Sequence, residues 1–478
     1  MKLNRFFLYL AVAFTAINSH AQSGRLSRIR VGADAHSLVK ENGQPFFWLG
    51  DTGWELFHRL TFEEIKEYIK NRQQKGFNVI QAVVLTEHDG LRKMNRYSVV
   101  PFKDLDPDKP NERYFELIDA TVQYAAEKEM YMALLPTWGD KVTPNWGLGP
   151  VVFDKKKAYT YGKWLGTRYR HHTNILWVLG GDRPPMKDNE DWRPIWREMA
   201  RGIQEGSGYN AFITYHTWGG EKSTSQMIHE EAWLNMNSIQ SGHGGGHDVP
   251  VWDWVRRDYK MPSPKPTIDL EPNYEDHPVN PWPKWDPKNG YFDDYDVRKQ
   301  TYRSVFAGAC GVTYGHHAVW QFYDTRQVPI NHVDRPYQEA MDRPGAFQMG
   351  YLRNLIESRP FVGRVYDPLM IVEGQGSGGR LITPFRGQDN SYAMIYMPVG
   401  TTIKVDMRFM KNSNVMAWWY DPKSGMMRSA RSSYRNDTMT FTPPVTGVGQ
   451  DWVLVLDDPD FHYPPPGRKK FMDYDAKE

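Results

Sequence analysis

The sequence predicts an α/β protein, a TIM (β/α)8 barrel followed by a C-terminal antiparallel β-sandwich. Three observations carry that expectation. Eight short apolar runs, each ending in polar residues, recur between about residues 46 and 356. Plausible amphipathic helices lie between them, and such alternation means a parallel sheet with outer helices. After about residue 360 the texture changes to short strand-like segments split by Gly, Pro, Asn and Asp. Eight units favour a closed barrel over an open doubly wound sheet. The open sheet usually brings a phosphate-binding glycine loop after its first strand, and GDTGWE (50–55) is not one.

The elements follow in order. Residues 1–21 read as a secretory signal: Lys2 and Arg5, an apolar run from Phe6 to Ile17, then small residues at Ser19 and Ala21. The run is too short for a permanent membrane anchor, and no cysteine follows it to take a lipid. A soluble periplasmic or secreted protein is expected, with no membrane contact after cleavage. Residues 22–358 form the barrel. Its strand runs are PFFWLGDT (45–52), NVIQAVVLTEH (78–88), MYMALLPTWGD (130–140), NILWVLGGD (174–182), NAFITYHTW (210–218), LNMNSIQSGH (234–243), PTIDLEPNYE (266–275) and VTYGHHAVW (312–320). In TFEEIKEYIKNRQQKG, Thr61 and Glu64 make a capping box, and Gly76 can end the helix. Phe62, Ile65 and Ile69 share one face, as do Phe115, Ile118, Val122 and Ala125 in the next helix. Residues 359–463 read as the sandwich, and 464–478 as a charged tail.

Charge narrows the partners. The chain has 59 Lys+Arg against 57 Asp+Glu, and without residues 1–21 the balance is even. No basic field is left for a nucleic acid or an anionic membrane. A neutral oligosaccharide or polysaccharide fits better, and the 18 Trp, 27 Tyr and 22 Phe suit either sugar rings or a thick core. The lone Cys310 excludes an internal disulfide or a cysteine-built metal site, and no cofactor or metal is expected.

A barrel of this type carries its active site at the C-terminal strand ends. Those ends hold Asp51 and Trp54, His88, Trp138, Asp182, His216 and Trp218, His243, Tyr274 beyond Glu271, and His316 with Trp320. Carboxylates, imidazoles and indoles together make a polar, aromatic cup suited to sugars. Glycoside hydrolysis usually needs two carboxyl groups across the scissile bond. Asp182 follows the flexible Gly180–Gly181 pair, which lets the backbone turn sharply and present it. Glu271 ends the seventh run, where a buried carboxylate is costly unless paired or used. Asp269 shares its strand face and reads as a deeper structural partner. The remaining cup residues are candidate substrate contacts, and His216 and His243 can also orient a carboxylate. His243-Gly-Gly-Gly-His247 reads as a loop over the site: no G-x-S-x-G elbow accompanies it, and three glycines argue against a metal-binding helix. Gly374-Gln-Gly-Ser-Gly-Gly379 precedes a strand, not the helix a dinucleotide fingerprint needs, and reads as a hairpin turn.

Three segments carry a resemblance: GQPFFWLGDTGWELFHRLTFEEIKEYIKNRQQKGFNVIQ, ILWVLGGDRP and TIDLEPNYE. They resemble glycoside hydrolase family 140, the apiosidase-like hydrolases. The C-terminal segment resembles a collagen-binding-type β-sandwich found behind that domain. The resemblance implies an acid/base Asp at strand four and a nucleophile-like Glu at strand seven, which fall on Asp182 and Glu271. It implies exo-acting removal of a terminal unit, such as an apiofuranosyl group from a pectic side chain. It also implies a retaining mechanism, which places the two carboxyls roughly 5 Å apart. An endo-acting β-glucanase, an inactive carbohydrate-binding protein and an esterase built around His243 are the competing readings. Loops 140–152 and 276–294, rich in Pro and Trp, decide between closed pocket and open cleft.

Overall fold

The computed structural model describes residues 26–434 and 436–468. The predicted signal segment and residues 469–478 of the tail lie outside the described residues. Seven of the eight runs contain a barrel strand and the eighth overlaps one: β1 Trp48–Thr52, β2 Val79–Val83, β3 Tyr131–Leu135, β4 Ile175–Gly180, β5 Ile213–His216, β6 Asn237–Ile239, β7 Thr267–Asp269 and β8 Gly311–Tyr314. They form one parallel sheet in the order β5-β4-β3-β2-β1-β8-β7-β6. Its two edges meet without a regular ladder. The Asn235 N–H donates to Ile213 O (2.8 Å), Thr214 Oγ1 donates to Met236 O (2.7 Å) and Ser238 Oγ donates to Tyr215 O. One backbone bond and two side-chain hydroxyls thus bridge the barrel at this seam.

Alternation along the strands divides two cores. Trp48, Val79, Val83, Tyr131, Ala133, Leu135, Leu176, Val178 and Met236 fill the interior, sealed below by Ile29, Leu38 and Phe46 of an N-terminal antiparallel sheet. Leu49, Ile80, Ala82, Met132, Leu134, Trp177 and Leu179 face outward under the helices. The first long helix, α1 (Phe62–Gln74), carries the Thr61–Glu64 capping box, and Gly76 beyond its end takes the left-handed φ of +85°. Then come α2 (Glu112–Glu127), α3 (Lys155–Arg168), α4 (Arg193–Ser207), α5 (Val251–Tyr259), α6 (Asp294–Phe306) and α7 (Pro344–Glu357). Phe115, Ile118, Val122 and Ala125 of α2 are all buried.

The C-terminal domain packs a six-stranded antiparallel sheet with a three-stranded one. The strand Thr383–Arg386 follows the glycine-rich segment at 374–379, as expected of a turn rather than a nucleotide loop, but the segment is not a hairpin. Ile371–Glu373 before it belongs to the three-stranded sheet and Thr383–Arg386 to the six-stranded one, so the chain crosses between sheets there. The sandwich and the barrel share a core across α6. Tyr302 stacks on Tyr396 and Phe306 meets Phe385 edge-on, with ring centres 4.8 Å apart in both pairs. Arg298 donates two hydrogen bonds of 3.0 Å to Asp451, both buried, and Arg359 pairs with Asp457 at 2.7 Å. Among the described residues no helix is long and apolar enough to cross a membrane.

Candidate active site

A cavity of about 890 Å³ opens at the C-terminal strand ends, and both Asp182 and Glu271 line it. Glu271 stands just past β7. The strand ends at Asp269, so simple alternation stops there and the two acids part. Asp269 accepts from Ser241 Oγ and N–H, and burial pushes its carboxyl up to about 7. Ser241 Oγ in turn accepts from Gln300 on α6 at 2.6 Å.

Two histidines hold Glu271. His216 Nδ1 accepts the Asp182 backbone N–H (3.1 Å), which leaves the ring proton on Nε2, 3.0 Å from Glu271 Oε2. That approach is off the line of an ideal hydrogen bond. His243 Nδ1 accepts the Tyr274 N–H (3.4 Å), which leaves the proton on Nε2, itself 3.3 Å from Glu271 Oε1. Burial pushes the Glu271 carboxyl up, but the donors of His216 and His243 outweigh it and hold it at about 2. His277 stacks on His243 at 3.9 Å, and burial holds its imidazole well below the usual range.

Asp182 is presented by three consecutive left-handed residues, Gly180 (φ +83°), Gly181 (φ +105°) and Asp182 itself (φ +49°). Glycine is required at the first two. A Cβ on Gly180 would lie 2.2 Å from His216 O, and one on Gly181 2.9 Å from Gly139 N. The Asp182 carboxyl accepts from Gln240 Nε2 (3.1 Å), Trp146 Nε1 (3.2 Å) and Arg183 Nη1 (2.9 Å). Arg183 is fully buried and also donates to Glu87 Oε1 at 2.7 Å. Burial raises the Asp182 carboxyl to about 6; Arg183 opposes this, while the charges of Glu271 and Glu87 add to it. One carboxyl is therefore held ionised and the other held protonated in mildly acidic solution.

Of the other predicted contacts, Trp54, His88, Trp138, Trp218, His243, Tyr274 and Trp320 line the cavity. Trp54 Nε1 donates to Tyr274 OH (3.1 Å) and its ring meets Trp138 at 5.2 Å. Three expectations need correction. Asp51 is fully buried on the outward face of β1, bonded by Tyr68 OH at 2.5 Å and 3.3 Å from Arg72 Nε, so it cannot touch substrate. His316 is buried as the N-cap of the short helix His317–Trp320 and pairs with Asp276 at 3.1 Å. His216 lies beneath the cavity wall and touches Glu271 instead of solvent, so its reading as a substrate contact gives way to the alternative, orienting a carboxylate. The His243 loop does line the cavity, while His247 turns away to Asp296 (2.9 Å). Glu87, which ends the second run beside His88, also lines the cavity, whereas sequence reading missed Trp146, Gln240, His277 and Trp282 as lining residues.

A (β/α)8 barrel with carboxyl groups of opposite protonation at the ends of strands four and seven, walled by indoles, defines a glycoside hydrolase. The comparisons with known proteins agree. A family model for the apiosidase-like catalytic domain matches residues 33–363, and the chain belongs to that family. A second model, for a domain described as collagen-binding in a collagenase, matches residues 365–457. A glycoside hydrolase family 5 structure from Bacteroides vulgatus is 28% identical, with 93% of this chain and 96% of that one covered and a TM-score of 0.83. Another glycoside hydrolase structure is 30% identical over 91% of this chain and 97% of that one, with a TM-score of 0.82. No curated protein matches the chain.

Proposed function

We propose that this protein is an exported, exo-acting, retaining glycoside hydrolase in which Asp182 is the acid/base and Glu271 the nucleophile. The observation that carries the reading is the divergent setting of the two carboxyls: two histidine donors on Glu271, and burial in a cavity wall for Asp182. Asp182 protonates the glycosidic oxygen as its bond to the anomeric carbon breaks. Glu271 closes on that carbon to form a glycosyl ester. Asp182, now a carboxylate, takes a proton from water, which attacks the same carbon and releases both sugar and Glu271.

The substrate is a terminal neutral glycosyl unit. The lining residues include Glu87, Asp182, Glu221 and Glu271 but no Lys or Arg, which disfavours a uronate there. Trp146 and Trp282, from the two Pro- and Trp-bearing loops, wall the cavity and favour exo action. The apiosidase-like family supports an apiofuranosyl unit on a pectic side chain. The basic and apolar start of the chain supports export to the periplasm or beyond.

The test is to incubate the mature chain, Asp182→Asn and Glu271→Gln with pectic and glucan oligosaccharides and resolve the products. A single monosaccharide is expected from the wild type, reduced by about 10²-fold or more in each variant. Products of mixed length would overturn exo action. Undiminished release by both variants would overturn the site.

A further inference from the structure

We infer that Trp146 is the platform for the leaving group, so that the departing portion of the substrate begins with a sugar ring bearing an apolar face. This rests on Asp182 acting as the acid. The acid hands its proton to the leaving oxygen, so the sugar that departs lies on the Asp182 side of the scissile bond. The sugar under attack lies against Glu271, beside Trp54 and Tyr274.

Trp146 is built into the Asp182 side and nowhere else. Its indole Nε1–H donates to Asp182 Oδ2 at 3.2 Å. The Arg183 guanidinium lies 4.4 Å from its ring centre, and Trp146 O accepts from Arg183 Nε (3.2 Å) and Nη2 (2.8 Å). Arg183 is itself fixed, being fully buried between Asp182 and Glu87. The following residue, Gly147, packs so closely that an added Cβ would lie 2.6 Å from Arg183 Nη2 and 2.7 Å from Asp140 Cβ. The indole is thus clamped through backbone, edge and guanidinium, yet the residue is 41% exposed and lines the cavity.

A large aromatic left that open while held that firmly has lost its freedom before any ligand arrives. That is the state in which stacking on a sugar costs least entropy. Lys187 Nζ lies 5.7 Å from the same ring on an exposed side chain, an interaction weak enough for a sugar to displace. The deep aromatics differ. Trp54 and Trp138 are each 5% exposed and pack against each other and His216, forming the wall behind the glycosyl unit.

The experiment compares two substrates sharing one glycosyl unit: the oligosaccharide that the wild type cleaves, and the glycosyl fluoride of the sugar it releases. Fluoride leaves without a ring to stack. Trp146→Ala should lose about tenfold more kcat/KM on the oligosaccharide than on the fluoride, mainly through KM. Trp146→Phe, which keeps a ring, should recover most of that selective loss. Equal losses on both substrates, or none on the oligosaccharide, would overturn the assignment. Asp182→Ala run alongside reports on the acid separately: it should fall far more on the oligosaccharide than on the fluoride. Full oligosaccharide activity in that variant would sink the acid reading, whatever Trp146→Ala shows.

Discussion

Replacing His216 by Leu removes a side chain that touches both catalytic candidates. The ring is fully buried, accepts the Asp182 N–H and stands 3.0 Å from Glu271 Oε2. Leucine fills similar space but offers neither nitrogen. A hydrogen bond to a charged group contributes about 1.5–3 kcal/mol, and 1.36 kcal/mol corresponds to about one pKa unit. The off-line approach of Nε2 argues for the lower end, so the Glu271 pKa should climb by about 1. Glu271 must be ionised to attack, so the acidic limb of kcat/KM moves up by that amount. The alkaline limb, where Asp182 loses its proton near 6, should move less. The peak should also fall by about 10- to 100-fold, because the freed Asp182 N–H no longer anchors the turn that aims the acid. The assay is a pH–rate profile on the released monosaccharide, with a melting curve at each pH. A lower peak with an unmoved acidic limb would refute the claim that His216 keeps Glu271 ionised.

Three further outcomes follow from the packing. Asp51→Ala strips a buried partner from Arg72 and should cost about 3–5 kcal/mol in urea unfolding, while KM stays at the wild-type value; a raised KM would return Asp51 to the substrate site. Asp451→Ala removes two charge-assisted hydrogen bonds from Arg298 at the barrel–sandwich contact, while Asp294 and Gln348 still hold its Nη1. The loss should cost about 1.5–3 kcal/mol in a single transition, and two separated transitions would show that the domains unfold independently. Asp269 and Glu275 are both buried with carboxyls raised to about 7. A raised carboxyl stabilises the fold fully below its unfolded pKa, and that contribution fades as pH rises through the folded value. The melting temperature should therefore fall between pH 5 and pH 8, and Asp269→Asn should flatten that slope; an equally steep slope in the variant would exclude Asp269 as a source.

The eight strands were legible because each combines an apolar run with a polar end, a pattern set by burial in the barrel and exposure at its rim. Asp182 and Glu271 were legible for the same reason, helped by the two glycines before one and the proline after the other. Asp51 misled because its position at a strand end outweighed its parity. It lies two residues beyond Leu49 and four beyond Phe47, on the outward face, and that alternation is written in FFWLGDT. His316 misled because a histidine beside a strand end can also cap a short helix. Arg183 and Trp146 stayed hidden for a different reason. Their contacts span 37 and 36 residues through an irregular loop, and neither periodicity nor capping chemistry encodes such a meeting. Gln240 reaches Asp182 across 58 residues and the barrel seam.

The shared core across α6 bears on how this chain can be cut or recombined. Two family models abut near residue 364, which invites treating the halves as interchangeable cassettes. A gene truncated there would leave Tyr302 and Phe306 bare and Arg298 without Asp451. The exposed stripe is apolar, a surface that favours aggregation over solubility. Grafting a foreign sandwich would succeed only if it supplied equivalents of Phe385, Tyr396 and Asp451. For protein engineering the inheritable unit is the pair.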